Sequence, residues 1–185
     1  MNSPSESQLA AQFEFCRLAM QYHVSGRFAA LSHCIPVAGN LLHHAIEMYL
    51  KCALVKTMSL KQLRKEGHNL SNLWKCFKET YTDPSYDELD WSIAELEKFE
   101  LLRYPDCVVS EGMQVSYVPF KAYFSPLPSG PQPPYHLILE DIDLIAKITA
   151  IKSERGKAAF SLPSNKLANE YFYLHNLHPF LDELV

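Results

Sequence analysis

The sequence lacks the features that mark several large classes of protein. It contains no GxxxxGK[ST], GxGxxG, GxSxG or HExxH motif, which argues against a P-loop enzyme, a Rossmann enzyme, an α/β-hydrolase and a zincin. Charged residues break its apolar runs well short of the ~18–20 residues that cross a bilayer. The opening MNSPSESQ has neither the basic start nor the apolar block of a secretory signal. We therefore expect no membrane segment and a cytoplasmic location.

Basic charge and paired cysteines are also scarce. The formal net charge is −4 and the pI is near 6.0, which argues against a surface that coats nucleic acid but leaves room for a local basic patch. The five cysteines are odd in number, widely spaced and without a CxxC pair, so we predict a reducing compartment and no disulfide framework. An apolar fraction of 48% in 185 residues suffices for the core of one domain, 1–185.

The most informative stretch is 40–56, which reads NLLHHAIEMYLKCALVK. Stepped by about 100° per residue, its apolar side chains cover almost the whole circumference of a helix, which is typical of the central helix of a bundle. The remaining side chains form one narrow polar stripe. A polar stripe on such a helix must be solvated or carefully paired, because a buried unpaired charge is costly, so we place the candidate ligand-binding site there. The polar stripe consists of Asn40, His44, Glu47 and Lys51, with His43 at its edge.

Glu47 and Lys51 are four residues apart and can pair along one helix face. Two alternatives are open: an ordinary surface ion pair, or a partly buried pair with a third partner. Arg103 is the predicted third partner, because helical periodicity places it with Glu100 on the inward side of its helix, and its guanidinium matches a carboxylate. The other interpretation of Arg103 is that the helix ends before Tyr104 and its side chain turns to water.

The histidines raise the question of a metal site. His44 and Glu47 can share a helix face, and His175 and His178 lie three residues apart near the C-terminus. Helical spacing permits metal binding by such pairs, but no second ligand pair of diagnostic spacing accompanies them. We therefore predict no metal site and no cofactor.

Residues 67–70, Gly-His-Asn-Leu, are typical of a turn that leads into a helix. Asn69 is the predicted N-cap of that helix. For His68 we favour a turn-stabilising or site-supporting role over acid–base catalysis, and we expect the same supporting role for His43.

Capping signals predict where several helices of the chain begin and end. Residues 3–6, Ser-Pro-Ser-Glu, are typical of a capping box at the start of the first helix, and Gly26 is expected to loosen or end that helix. Asp83 is the predicted cap of the fourth helix, with Pro84 in its first turn. C-terminal helices are predicted within 139–185. They are a helix over 139–152 that stops at Gly156, and a last helix that begins at Ser164 and is broken by Pro179.

Residues 105–136 form a proline-rich insertion. Seven of the twelve prolines lie between positions 105 and 134, and 125–134 is too proline-rich for a helix or a central strand. That segment is either a mobile flap or an ordered surface loop. Residues 108–109 and 115–118 are predicted to pair as a short β-hairpin.

The order of these motifs resembles the HEPN superfamily, the small helical domains found with prokaryotic nucleotidyltransferases and in toxin and defence systems. The resemblance covers about 13–106. It depends on Ala45-Ile46-Glu47 with Lys51, on Gly67-His68-Asn69-Leu70, and on Arg103-Tyr104-Pro105. It implies an all-α, four- to five-helix bundle that dimerises and binds a partner protein, a nucleotide or an RNA.

Many HEPN members are metal-independent ribonucleases that use an arginine, a gap of four to six residues and a histidine near the start of a late helix. Arg17 with His23, and Arg27 with His33, match the gap. Both pairs lie too early in the chain and lack the polar residue that usually follows the arginine. We therefore assign no catalytic residue and expect a non-catalytic binding or regulatory module, with a metal-independent endoribonuclease as the alternative.

Overall fold

The structure, a computed structural model, describes residues 5–104, 114–121 and 134–153, together with the single positions Asp106 and Val109. These residues form a helical bundle with one small sheet, which confirms the predicted helical fold class. The α-helices are α1 (Glu6–Leu31), α2 (Ile35–Leu54), α3 (Leu60–Glu66), α4 (Leu70–Thr80), α5 (Asp90–Lys98) and α6 (Leu139–Ser153); the 3-10 helices are Pro84–Leu89 and Phe99–Arg103; the strands are β1 (Val115–Val118) and β2 (Tyr135–Ile138).

Helix α2 is the centre of the bundle. It packs against α1, α4 and α6, and Leu42, Ile46 and Leu50 are completely buried. The prediction of a central helix is therefore confirmed. The helix begins five residues earlier than position 40, at Ile35, because Pro36 stands in its first turn, where proline is well tolerated.

Gly26 and Gly39 allow helices to pack closely against each other. Helix α1 runs through Gly26 to Leu31, so the prediction that Gly26 loosens or ends it is wrong. A Cβ added at Gly26 would lie 2.7 Å from Cγ of Leu42, which shows that the glycine serves the contact between α1 and α2. At Gly39 an added Cβ would lie 1.8 Å from Cδ1 of Phe99, so α2 is equally tight against the 3-10 helix that follows α5.

The helix caps agree in part with the sequence. Asn69 caps α4 as predicted, and its side chain accepts a hydrogen bond from the backbone N–H of Asn72 at 2.7 Å. Helix α1 is capped by Ser5 with Gln8 in a capping box, in place of the box predicted over 3–6, of which 3–4 lie outside the described residues. Helix α3 was not predicted, although Ser59 and Gln62 form the same kind of box.

Asp83 caps the segment that follows α4, as predicted, with Pro84 in the first turn. The segment opens as a 3-10 helix, becomes α5 and closes as a second 3-10 helix. Four apolar side chains at helical spacing form the inward face of this segment, and all four are buried. They are Leu89, Ile93, Leu96 and Phe99.

The small sheet corrects the predicted hairpin. Strand β1 forms at the predicted residues, but it pairs in parallel with β2, in a register that runs from Val115 opposite Tyr135 to Val118 opposite Ile138. Val109 has helical backbone, and 108 lies outside the described residues. Strand β1 pairs with β2 because β2 buries Tyr135 and Leu137 in the core. The residues between the two strands are numerous enough for the long connection that parallel strands need.

Helix α6 confirms the helix predicted over 139–152 and extends it by one residue to Ser153. The predicted stop at Gly156, the last helix from Ser164 and the break at Pro179 lie outside the described residues, as do His175, His178 and most of the proline-rich insertion. None of the helices in the described ranges combines the length and the apolar character that a membrane crossing requires.

Candidate binding site around Glu47

Glu47 is completely buried in the middle of α2 and has three hydrogen-bonding neighbours. Its Oε1 accepts a hydrogen bond from Nζ of Lys51 at 2.6 Å. Its Oε2 lies 2.9 Å from Nδ1 of His68 and 3.4 Å from Nδ1 of His44. Of the two alternatives for Glu47 and Lys51, the structure supports the buried pair with further partners. We call His44, Glu47, Lys51 and His68 the Glu47 cluster.

The neighbours of Glu47 keep its carboxyl group ionised. Burial alone raises the pKa of Glu47, but hydrogen bonds from His44, Lys51 and His68 outweigh it and hold the pKa at about 2. A buried carboxylate of this kind is stable only while it is paired. The Glu47 cluster is therefore a fixed negative charge compensated by the Lys51 ammonium.

Lys51 also ties α2 to the loop between α3 and α4. Its Nζ donates to the carbonyl oxygen of Gly67 at 2.7 Å, which fixes the residue that precedes His68. The side chain of His68 is 60% exposed, whereas that of Glu47 is 0% exposed. The Glu47 cluster is therefore buried on the side formed by α2 and open to solvent on the side formed by the loop. His68, predicted to stabilise the turn, also contacts Glu47.

The prediction that Arg103 pairs with Glu47 is wrong. The Arg103 side chain is 42% exposed and its NH1 atom lies 2.6 Å from Oε1 of Glu100. Helix α5 ends at Lys98, and the next five residues form a 3-10 helix. A 3-10 helix turns about 120° per residue, so an angular count based on an α-helix fails there. Arg103 turns outward, and His68 takes the place predicted for it.

His43 and Asn40 belong to different contacts. The His43 side chain is completely buried, with Nδ1 3.3 Å from the carbonyl oxygen of Leu96 and Nε2 3.7 Å from Oε2 of Glu100. Burial lowers the pKa of His43, so the ring is neutral and links α2 to α5. Asn40 donates to the carbonyl oxygen of Pro36 at 3.2 Å, within its own helix.

A second buried ionic cluster, on α1 and α6, was not predicted. His23 Nε2 lies 2.8 Å from Oδ1 of Asp143, and Arg27 forms an ion pair with the other oxygen of Asp143. Burial, together with the charge of Arg27, lowers the pKa of His23 to about 3, so the neutral ring donates its N–H to the carboxylate. His23 and Arg27 are four residues apart on one helix face, but no local signal in the sequence points to Asp143.

The two arginine–histidine pairs that match the ribonuclease gap do not assemble a site. Arg17 pairs with Glu14 at 2.7 Å on the surface, whereas His23 is buried beside Asp143. Arg27 is buried with Asp143, whereas His33 is exposed. Neither pair presents an accessible histidine beside an accessible arginine.

The Glu47 cluster includes a set of atoms that can bind a metal ion. One ligand atom from each of His44, Glu47 and His68 lies within 4.8 Å of the other two. Two of these residues are on α2 and the third is on the loop, which explains why ligand spacing in the sequence does not reveal the set.

Comparison with known proteins gives no assignment of family or activity. No protein-family model matches the chain, and no curated protein or solved structure matches it either. The function is therefore inferred from the geometry of the described residues.

Proposed function

We propose that this chain is a non-catalytic, HEPN-like binding module that forms a homodimer and binds the phosphates of a nucleotide or an RNA through α3. The observation that carries the proposal is a set of three exposed basic side chains on one face of α3. The three residues are Lys61, Arg64 and Lys65. Arg64 and Lys65 follow Lys61 by three and four positions, so both lie on the same face of the helix as Lys61. Leu63, on the opposite side, is buried and anchors the helix to the core.

These three cations differ from most others in the described part of the chain. Arg17, Lys78 and Lys98 each lie within 2.9 Å of a carboxylate oxygen. By contrast, no carboxylate among the described residues lies within 4.0 Å of the charged nitrogens on α3. Unpaired exposed cations on one face are the usual way in which proteins neutralise phosphates. An acidic chain with such a local patch fits a phosphate-bearing ligand.

The loop after α3 is held in a fixed position. Lys51 binds the carbonyl oxygen of Gly67, and His68 binds Glu47. Asn69 then caps α4. The end of α3 is therefore anchored to the central helix, so little backbone entropy is lost when a ligand binds to this helix.

Binding without catalysis fits the chemistry of the neighbouring groups. Cleavage of RNA without a metal needs a histidine free to act on the 2′-hydroxyl and a cation free to stabilise the phosphate. His44 and His68 share one carboxylate oxygen of Glu47, and Lys51 occupies the other. This arrangement favours the binding module over the endoribonuclease alternative.

The binding test compares two charge-matched double variants in buffer with EDTA. R64A/K65A should bind a labelled single-stranded RNA at least 10-fold more weakly than the wild-type protein. A plot of log K for RNA binding against log salt concentration should be less steep for this variant, by about 1.4 in slope, because two phosphate contacts are lost. R17A/K98A removes the same charge from cations that already have partners, and should bind within about threefold of wild type.

Three results would contradict the proposal. An equal loss of RNA affinity in the two double variants would mean that the net charge of the protein, and not the basic face of α3, controls binding. Cleavage of the RNA in EDTA would support the endoribonuclease alternative. A mass by light scattering equal to the 21.2 kDa of one chain, in place of twice that value, would remove the homodimer.

A further inference from the structure

We infer that His44, Glu47 and His68 form a binding site for a divalent transition-metal ion, with zinc as the best match. The site offers two imidazole nitrogens and one carboxylate oxygen, all within 4.8 Å of one another. Its residues belong to the Glu47 cluster, but it does not depend on the phosphate binding proposed for α3. Each of the two activities can be present without the other.

The donor atoms lie close to the separations that zinc requires. Around a tetrahedral ion with bonds of about 2.1 Å, neighbouring donors are about 3.4 Å apart. Oε2 of Glu47 lies 3.4 Å from Nδ1 of His44 and 2.9 Å from Nδ1 of His68. An outward movement of His68 by a few tenths of an ångström would open the second distance to the same value. That movement is available because the His68 side chain is mostly exposed.

Two of the three ligands are fixed before an ion arrives. His44 and Glu47 are three residues apart on α2, the most buried helix of the bundle. Oε1 of Glu47 is held by Lys51, so Oε2 is the oxygen turned toward both imidazoles. Partners that orient a ligating carboxylate in this way strengthen metal sites, because less ordering is needed on binding.

Lys51 also limits the affinity. Its ammonium group sits 2.6 Å from the other oxygen of Glu47, so the ion enters a cluster whose negative charge is already compensated. Two imidazole nitrogens and one shared carboxylate favour a borderline ion such as Zn²⁺ or Co²⁺. Mg²⁺ and Ca²⁺, which prefer oxygen ligands, are disfavoured.

Binding needs no chemical step beyond a change of tautomer. In the metal-free cluster an imidazole N–H at Nδ1 can donate to Glu47, and a metal ion needs the lone pair at that same atom. A neutral imidazole carries one proton and can hold it on Nε2 instead. The ion then replaces the hydrogen bonds at Oε2, and its remaining positions face the open side of the cluster at His68.

The test titrates EDTA-stripped protein with Zn²⁺ by calorimetry and with Co²⁺ by visible absorption, without nucleotide or RNA. The wild-type protein should bind one ion per chain, and Co²⁺ should give the intense visible bands of a four-coordinate site. H68N should bind at least 10-fold more weakly. His68 is a suitable position because its side chain is 60% exposed, so the variant is expected to fold.

H33N is the matched control, since His33 is also exposed and lies outside the cluster. Its positive φ of 57° suits asparagine, and its metal binding should equal that of wild type. The inference is overturned if the wild-type protein shows no saturable binding, or if H68N binds as tightly as H33N. Because the α3 test is done in EDTA, its outcome and this one are independent.

Discussion

His68 Nδ1 lies 2.9 Å from Oε2 of Glu47, although 21 positions separate the two residues in the chain. The contact joins a mostly exposed loop side chain to a carboxylate in the centre of the bundle. It places an imidazole beside a buried carboxylate. The packing of the bundle and the metal site proposed for the loop therefore share one carboxylate.

The first prediction concerns the stability that Glu47 provides. Glu47→Ala should lower the free energy of unfolding by ~3 kcal/mol, because Lys51 is left buried without its carboxylate. The measurement is urea denaturation followed by circular dichroism. Glu14→Ala is the control, since Glu14 also pairs with a cation on its own helix but is 54% exposed.

Glu14→Ala should lower the free energy of unfolding by no more than ~0.5 kcal/mol, as is usual for the loss of an exposed ion pair. A loss for Glu47→Ala as small as that of the control would mean that the buried pair contributes little to folding. The buried Glu47–Lys51 pair would then have a role in binding a ligand and not in folding.

The central helix and its polar stripe could be predicted from the sequence because both depend on local periodicity. An apolar circumference interrupted by Glu47 and Lys51 indicates a buried helix with a buried pair, and the structure has both. Asn69 as a cap could be predicted for the same reason, since a cap is defined by its immediate neighbours.

Contacts between distant segments could not be predicted in this way. An angular count along an α-helix pairs Arg103 with Glu47, and the 3-10 helix at Phe99–Arg103 invalidates that count. His68 and Asp143 reach their partners across gaps of 21 and 120 positions, where no periodic pattern carries information. The pairing of β1 with β2 is not predictable for the same reason, because the proline-rich segment 125–134 separates the two strands in the chain.

The second prediction concerns the packing at Gly39. Gly39→Ala should lower the free energy of unfolding by ~1–3 kcal/mol, because its Cβ would lie 1.8 Å from Cδ1 of Phe99 and the core around Phe99 is closely filled. Phe99 is completely buried and contacts the ring of Tyr135 with a centroid separation of 5.5 Å. The ring therefore has little room to move away.

A double-mutant cycle with Phe99→Leu isolates this contact, with unfolding measured in urea for all four proteins. Leucine removes the ring edge, so the combined loss should be smaller than the sum of the two single losses by ~0.5 kcal/mol or more. Additive losses would show that the glycine is needed for a reason other than its approach to Phe99.

The third prediction is a pH dependence of stability that originates at His23. The pKa of His23 is lowered from 6.5 to about 3 by burial and by the charge of Arg27. Between these values the unfolded chain binds a proton at this histidine and the folded chain does not. Stability is therefore full above pH 6.5 and falls as the pH decreases, by ~2 kcal/mol between pH 7.5 and pH 5.

The comparison of wild-type protein with His23→Gln assigns this loss to one residue. In the described part of the chain, the groups that face the ring include Arg27, Asp143 and Tyr49, and all three remain in the variant. A glutamine amide can donate to Asp143 without gaining a proton, so the variant should lose ~2 kcal/mol less than wild type over that pH range. His33→Asn, at an exposed histidine, should keep the wild-type slope. If His23→Gln also keeps the wild-type slope, His23 binds a proton in the folded protein as readily as in the unfolded chain. The His23 ring would then not be the neutral donor to Asp143.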